Sequence, residues 1–569
     1  MKQPAAKPAP SRAVWWRSPS LVIIGASTAY ALVVTYPVVF NLGSMIYGYP
    51  GDATGTVATY EFWAQALRQH QSIFENNLWG APYGAGWQAV PFAVISLALA
   101  SLSALLGGIG AYNLEVLASF PLTAWTTYLV ARRFGCRPLA AAFAGLAFAF
   151  IPYHIEKAQG HAGQTHTELF SATLLFLMRW RQGGSRWNLA GAGTVAGVTL
   201  WIDYYFAFID AFLVATFFAA SFLRGKGGES WWPRLRTHVV AALILGLATA
   251  AFVPVTVLVA ERGSLAGSLA AQTASFNQSL AEVRVYSSRP FEFLLPYHAN
   301  PLVPKRVVDY ETSRLHSSNF TEQSLFIGYT VMVLAALWVL VAWRRFETIV
   351  LLAIGAVGFL VSLPPGLNFN HYVVPTPSLL LNPVFPIFRV YARFGILVLL
   401  GAAILAGLGL SWAQERLRRR AALLLAVPFF LTALEFNSLP PTHVLRILPA
   451  PAAYQWLAAQ PAGILVEYPL AASTPQTQEI QTHQYELYQP VHGHPIFNGA
   501  TTASQAYILY PGLEPYYGPG VAGALLSIGI RYVFVHRDEY KQDGYSLPHD
   551  VPGLTYVQTM SGVDVYEVT

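Results

Sequence analysis

The stretch Gly48-Tyr49-Pro50-Gly51-Asp52-Ala53-Thr54-Gly55 puts a carboxylate on a Gly/Pro-rich turn directly after the apolar run 21–42. A run of that length spans a bilayer, so Asp52 falls just past the end of a transmembrane helix. A turn there holds a carboxylate at the membrane face without burying it in lipid. Asp203 ends another apolar run, between Trp201 and Tyr204, where an uncompensated carboxylate is costly. His154, Glu156, His161 and His166 form the densest set of ligand-type side chains, but their spacing suits neither a helical His pair nor a zinc finger. Arg389, Tyr391 and Arg393 stand just before a further apolar run.

These residue types together suit group transfer from a phosphate. A carboxylate or imidazole takes a proton from an acceptor hydroxyl or orients it. Cationic groups or a metal stabilise the departing phosphate, and a guanidinium binds one bidentately. Asp52, Asp203 and His161 are therefore the candidate catalytic residues. Arg389, Arg393, Tyr204, Tyr205, Glu61 and His166 are candidate substrate-binding residues. Asp52, Glu156 and His161 are the candidate ligands of a divalent metal ion, the one cofactor this set admits. Each has a purely structural alternative. Asp52 suits a turn, Asp203 a helix end hydrogen-bonded to backbone, the arginines headgroup contact, and the remaining histidines a solvated loop.

The elements that must position these groups are membrane helices. Of 569 residues, 54% are hydrophobic and 11% charged, with mean hydropathy +0.43, whereas soluble domains carry about 25% charged residues. The 15 Trp and 30 Tyr suit long membrane interfaces. The net charge of +6 does not indicate nucleic acid, because the basic residues lie in short clusters between apolar runs. With Cys136 alone, no internal disulfide forms. Lys2, Lys7, Arg12 and Arg17 precede a run too long for a signal-peptide core, and no small-residue cleavage site follows.

Apolar runs fall near 21–42, 90–107, 111–131, 138–152, 168–180, 188–203, 205–223, 238–260, 324–343, 348–363, 394–413 and 421–436. Arg132-Arg133, Arg179-Arg181-Arg186, Arg224-Lys226-Arg234-Arg236, Arg344-Arg345 and Arg416–Arg420 all become cytoplasmic if 90–107 and 111–131 give one crossing between them. The serine-broken 90–107 is the weaker of the two. The expectation is a polytopic α-helical membrane protein with about eleven transmembrane helices. The N-terminus is cytoplasmic, the C-terminus outside, and nearly all chemically capable residues lie on the outer face. The first outer loop, Thr59-Tyr60-Glu61-Phe62-Trp63 with Gln65, Arg68 and His70, mixes aromatic and polar residues as interfacial helices do.

Pro440-Pro441 and Pro449-Ala450-Pro451 mark a linker, dividing a membrane domain (1–438) from an extracytoplasmic domain (439–569). In the latter, 464–468, 532–536 and 563–568 read as strands and 452–460 and 521–528 as helices, an α/β or α+β layer. Gly, Pro, Tyr and His between 474 and 520 predict long loops.

An acidic residue in the first outer loop after a first helix, followed by interfacial helices, resembles the C-type membrane glycosyltransferases, which include protein mannosyltransferases, aminoarabinose transferases and oligosaccharyltransferases. Tyr128-Leu129-Val130-Ala131-Arg132-Arg133-Phe134-Gly135 is similar to the end of an early helix in that superfamily. Gln159-Gly160-His161, Tyr204-Tyr205 and Phe385 to Phe394 resemble bacterial members with an extracytoplasmic tail domain. Many members carry paired acidic residues in the first loop; here Asp52 is followed by Ala53. The resemblance implies transfer of a sugar from a polyprenyl-phosphate donor to a cell-envelope glycan, lipid or protein acceptor, at a multi-pass protein of the cell membrane.

Two other classes are weighed against this. A transporter or flippase of lipid-linked intermediates calls for paired Gly/Pro-broken helices in two halves, which the sequence lacks. An inactive envelope-assembly scaffold would use its tail domain to bind partners. No Gly-x-Gly-x-x-Gly follows a strand and no Walker A motif occurs, which leaves no support for a nucleotide-sugar site.

Overall fold

The computed structural model describes residues 19–73, 76–84, 93–225, 230–253, 279–317, 320–369, 372–416, 425–441, 443–470, 475–499, 505–542 and 547–569. The basic N-terminus with Lys2, Lys7, Arg12 and Arg17, and the arginines at 418–420, lie outside these residues.

The chain opens with α1 (Pro19–Val34), strand β1 (Met45–Tyr47) and α2 (Asp52–Arg68). Next come α3 (Ala93–Leu106), α4 (Gly108–Phe134), α5 (Pro138–Ala149), α6 (Pro152–Ala158), α7 (Glu168–Arg181), α8 (Trp187–Ile202), α9 (Tyr204–Leu223) and α10 (Trp231–Ala250). Short α11 (Leu280–Val285) and α12 (Lys305–Ser313) precede α13 (Tyr329–Ala342) and α14 (Phe346–Ser362). A hairpin of β2 (Gly366–Phe369) and β3 (Tyr372–Pro375) leads through α15 (Pro377–Leu381) to α16 (Gly395–Arg416) and α17 (Val427–Glu435). Local sequence sets the helix ends. Gly135 closes α4 in the left-handed region (φ 106°), behind Arg132 and Arg133 in the last turn. Prolines open α5 and α6, and the break between those two helices bends their path by 46°. The almost wholly buried α16 is the bundle's centre, packed against α5, α13 and α14.

Among the described residues, Gly108–Phe134, Tyr204–Leu223 and Tyr391–Arg416 are long and apolar enough to cross a membrane, and the bent α5–α6 pair is a fourth if it counts as one span. Eleven helices of crossing length are therefore not found among these residues. The physical reason is that apolar runs are longer than the helices within them. Run 21–42 leaves its helix at Val34, and residues 38–40 turn separately as a 3₁₀ segment. Of the two adjacent early runs, the second becomes the long helix α4, while α3 spans 14 residues.

The tail contains β4 (Val444–Arg446), α18 (Ala452–Ala458), β5 (Ile464–Tyr468), α19 (Pro475–His492), α20 (Gln505–Leu513), α21 (Val521–Ile528), β6 (Ile530–His536), α22 (Arg537–Gln542), β7 (Leu554–Met560) and β8 (Val563–Val568). Its sheet runs β5-β6-β8-β7; β5 and β6 are parallel and the other pairs antiparallel. A parallel pair needs a long crossover, and α19 to α21 supply it. The expected strands form, joined by β7. The expected long loops of 474–520 are corrected: two helices occupy most of that stretch, with Pro475, Pro490 and Pro511 tolerated near their ends.

The tail grips the segment between α1 and α3 in three places. Strand β4 pairs antiparallel with β1, Ile46 opposite Leu445. Helix α19 packs on α2. Gly80 and Ala81 N–H groups donate to Asn498 and Ile496 carbonyls (3.0 and 2.9 Å), and Ile496 N–H donates to Leu78 O (2.7 Å). Helix α2 is enclosed between α3, α4 and α19, with Tyr60, Phe62 and Trp63 buried.

Candidate active site

Asp52 is the first residue of α2, and Gly51 before it takes φ 111°, a backbone open to glycine. The Thr54 hydroxyl accepts from Gly51 N–H (3.0 Å) and donates to Gly51 O (2.8 Å), fixing the turn. A second segment, after α6, holds it from the side, where Tyr49 N–H donates to Gln159 O at 3.1 Å. A Cβ on Gly48 would lie 2.5 Å from that same carbonyl, so the two backbones approach as only glycine permits. This contact brings His161 to Asp52: Nε2 lies 3.4 Å from Oδ2, with the Asp52 side chain 51% exposed. His161 Nδ1 is buried without a hydrogen-bond partner among the described residues. Burial, helped by nearby Lys157, depresses the His161 pKa to about 4, against the pull of Asp52. At neutral pH His161 is thus a neutral imidazole beside the exposed Asp52 side chain.

Behind this pair lies a buried charge cluster. Glu322 accepts from Arg393 through Nη2 (2.6 Å) and Nε (3.1 and 3.3 Å). Lys157 Nζ stands 2.8 Å from the other face of the same carboxylate, at a side-chain exposure of 0%. Burial alone would raise the Glu322 pKa, but Arg393 and Lys157 outweigh it and hold the carboxyl well below its usual range. The Arg393 guanidinium stacks over the Tyr205 ring at 4.4 Å, and its Nη1 makes no hydrogen bond among the described residues.

Asp203 lies within electrostatic reach of Arg393 and Lys157. Its oxygens are used locally, Oδ1 accepting from Phe206 N–H (2.8 Å) to cap α9 and Oδ2 from Gln164 Nε2 (3.1 Å). The helix-capping alternative is realised, beside the cluster.

The other candidates separate. Arg389 stays half exposed, 3.9 Å from Glu282, its guanidinium over Tyr286 and its N–H donating to the Tyr205 hydroxyl. Tyr204 and Tyr205 pack on each other and on Phe388. Glu61 faces away, accepting from Gly108 N–H (2.6 Å) at the start of α4. His166 is drawn into a different cluster, 2.7 Å from Glu168 and 3.2 Å from Glu115, which also accepts from the Tyr60 hydroxyl (2.5 Å). Burial would lower the His166 pKa, but the two carboxylates outweigh it and raise it to about 10.

Glu156, the third candidate metal ligand, accepts from the Tyr297 hydroxyl at 2.7 Å and lies 3.6 Å from His298. It does not join Asp52 and His161, and among the described residues no three His, Cys, Asp or Glu side chains are placed to hold a metal. The three expected ligands therefore do not form one site for a divalent ion. Lys157 and Glu322 were not singled out as site residues from sequence. The charged pair Glu156-Lys157 between Ile155 and Ala158, and a carboxylate just ahead of run 324–343, are the signals that could have found them.

The fold is shared with solved membrane transferases. The Archaeoglobus fulgidus oligosaccharyltransferase in its apo form superposes with a TM-score of 0.53 at 12% identity, covering 99% of this chain and 75% of that one. The archaeal oligosaccharyltransferase AglB from Archaeoglobus fulgidus, in complex with an inhibitory peptide and a dolichol-phosphate, gives 0.51 at 14% identity, with coverages of 99% and 75%. ArnT from Cupriavidus metallidurans bound to undecaprenyl phosphate gives 0.50 at 15% identity and covers 98% of both chains. The Archaeoglobus oligosaccharyltransferase was also solved in complex with Zn and sulfate. At these identities the likeness establishes the fold. No curated protein matches the sequence. A family model covers residues 22–435, and by that match the chain belongs to the family described as Domain of unknown function (DUF6311).

Proposed function

We propose that the chain is an integral membrane glycosyltransferase that moves a sugar from a polyprenyl-phosphate donor to an extracytoplasmic acceptor. The observation that carries this reading is the exposed Asp52 carboxylate beside neutral His161, backed by the buried Lys157–Glu322–Arg393 cluster. The shared fold supports it, because AglB and ArnT were solved with polyprenyl phosphates.

In this reading Asp52 takes the proton of the acceptor hydroxyl as its oxygen attacks the anomeric carbon. A carbon–oxygen bond forms to the acceptor, the bond from that carbon to the phosphate oxygen breaks, and polyprenyl phosphate leaves with the electron pair. The unpartnered His161 Nδ1 hydrogen-bonds the acceptor or the phosphate. Lys157 and Arg393 oppose the negative charge that develops on the phosphate, moderated by Glu322. Arg393 contributes through its remaining Nη1, and half-exposed Arg389, 3.9 Å from Glu282, adds partly compensated positive charge.

The acceptor is a glycan, lipid or protein of the cell envelope. The reading places residues 439–569 outside the cytoplasm and the N-terminus inside. The test supplies radiolabelled polyprenyl-phosphate sugars to the purified protein in lipid and follows release of polyprenyl phosphate. No release with any donor, from protein that unfolds cooperatively, rejects the proposal.

A further inference from the structure

Away from the Asp52 centre, a cavity of about 570 Å³ is lined by Leu280, Ala281, Arg284, Val285, Arg289 and His316. Three of these six side chains are basic. Arg289 is braced across the cavity wall, donating through Nη1 to Ser287 O (2.9 Å) and through Nη2 to Arg284 O (3.0 Å). His316 is held at both ring nitrogens, with Val285 O 2.7 Å from Nδ1 and Glu292 Oε1 2.6 Å from Nε2.

The nearby acids are spent elsewhere. Glu292 takes up His316, the Gln323 amide (3.1 Å) and Arg289 N–H (2.8 Å). Glu282 is turned toward Arg389 (3.9 Å) and Ser279 N–H (3.2 Å). Exposed Arg284 makes no ion pair among the described residues. A basic cavity whose acids are already engaged is selective for anions. Leu280 and Val285, 44% and 36% exposed, add an apolar lip, which a wholly water-soluble anion would leave unused.

We propose that this cavity binds the phosphate of an anionic amphiphile at the outer membrane surface, as a site separate from the Asp52–His161 centre. None of its lining residues belongs to that centre. Tyr286, next along the chain, turns the other way, its carbonyl accepting from Ala392 N–H (3.0 Å) and its ring stacked on Arg389. The outward placement rests on the topology proposed above, whereas the binding itself is measured without turnover.

Native mass spectrometry of the full chain in detergent, offered phosphatidylglycerol or phosphatidylcholine, tests this. Phosphatidylglycerol should be retained preferentially, and Arg284→Gln should weaken retention about tenfold, the loss of one charge-assisted contact. Arg284 is exposed, so this variant should fold; Arg284→Gln/Arg289→Gln should weaken retention further. Resistance to displacement by inorganic phosphate supports the amphiphile, whereas displacement by it assigns the cavity to a soluble phosphate and overturns the amphiphile. Equal retention of the two lipids, or retention unchanged in Arg284→Gln, overturns the site. A rise in donor KM that tracks the loss of lipid overturns its separateness from the donor site.

Discussion

Asp52→Asn separates chemistry from architecture because of where the side chain sits. It is half exposed, at the first position of α2, and its close titratable neighbour among the described residues is the neutral imidazole of His161 at 3.4 Å. An exposed pair of this kind contributes at most about 1 kcal/mol, and a charge at a helix N-terminus about 0.3–1 kcal/mol. Asn keeps the shape, and the turn is fixed by Gly51 and Thr54 rather than by the carboxylate. Folding should therefore survive with a change of about 1–2 kcal/mol at most. Turnover should not, because a positioned general base is worth about a hundredfold to ten-thousandfold in rate. The assay is release of polyprenyl phosphate from a labelled donor at saturating donor and acceptor, alongside thermal unfolding in the same detergent. A loss confined to kcat, with an unfolding midpoint close to the parent's, is the expected result. Near-parental turnover in a well-folded Asp52→Asn protein would falsify the assignment and move the base to Asp203 or His161.

Glu322→Gln leaves Lys157 and Arg393 buried without their shared carboxylate and should cost about 3–5 kcal/mol in thermal or denaturant unfolding; an unchanged midpoint shows that the cluster is not a buried ion network. Arg393→Lys keeps the charge but loses the fork on Glu322, so donor KM should rise about tenfold or more, and an unchanged KM removes Arg393 from phosphate binding. Gly48→Ala drives a methyl against Gln159 O and displaces the Asp52 turn, costing about a hundredfold in kcat, while Gly43→Ala, with nothing within 4 Å of its added methyl, should be silent. His166 binds its proton more tightly folded (about 10) than unfolded (6.5), so its stabilisation is complete below pH 6.5 and is lost as pH rises toward 10. His166→Gln should flatten the alkaline fall in unfolding midpoint over that window, and a fall as steep as the parent's refutes the assignment.

Sequence made some of this legible and hid the rest for identifiable reasons. The tail strands were readable because Ile464–Tyr468 and Val563–Val568 are dense in β-branched and aromatic residues between turn signals. Strand β7 was missed because most of its residues are exposed, so no apolar alternation marks it. Helix α19 was hidden by composition: prolines, glutamines and histidines read as loop, although Gln481, Tyr485, Tyr488 and Gln489 recur at helical spacing on its buried face. Asp52 and His161 were each visible as candidates, but nothing in their separation along the chain predicts a 3.4 Å contact. The Gly48–Gln159 approach that makes it is a tertiary fact. Glu322 is an ordinary loop glutamate until Lys157 and Arg393 converge on it.

The tail domain gains a different meaning from these contacts. By composition it reads as an appended unit behind a proline linker. In the fold that linker is itself a strand paired with β1, whose end leads within five residues to Asp52. A Cβ on Gly55, one turn into α2, would lie 2.5 Å from the His483 ring of α19, so the tail helix is seated against the helix that begins with Asp52. Backbone hydrogen bonds at Leu78, Gly80 and Ala81 close the far end of the same segment. Helix α2 has bundle on one side and tail on the other, and neither alone encloses it. An active carboxylate must be held to within a fraction of an ångström, and a helix resting only on a membrane interface has no such restraint. The enclosure of α2 thus accounts for one departure from expectation, a loop-like stretch that is helical. The two sequences are complementary halves of one support, which is why neither could be read by itself.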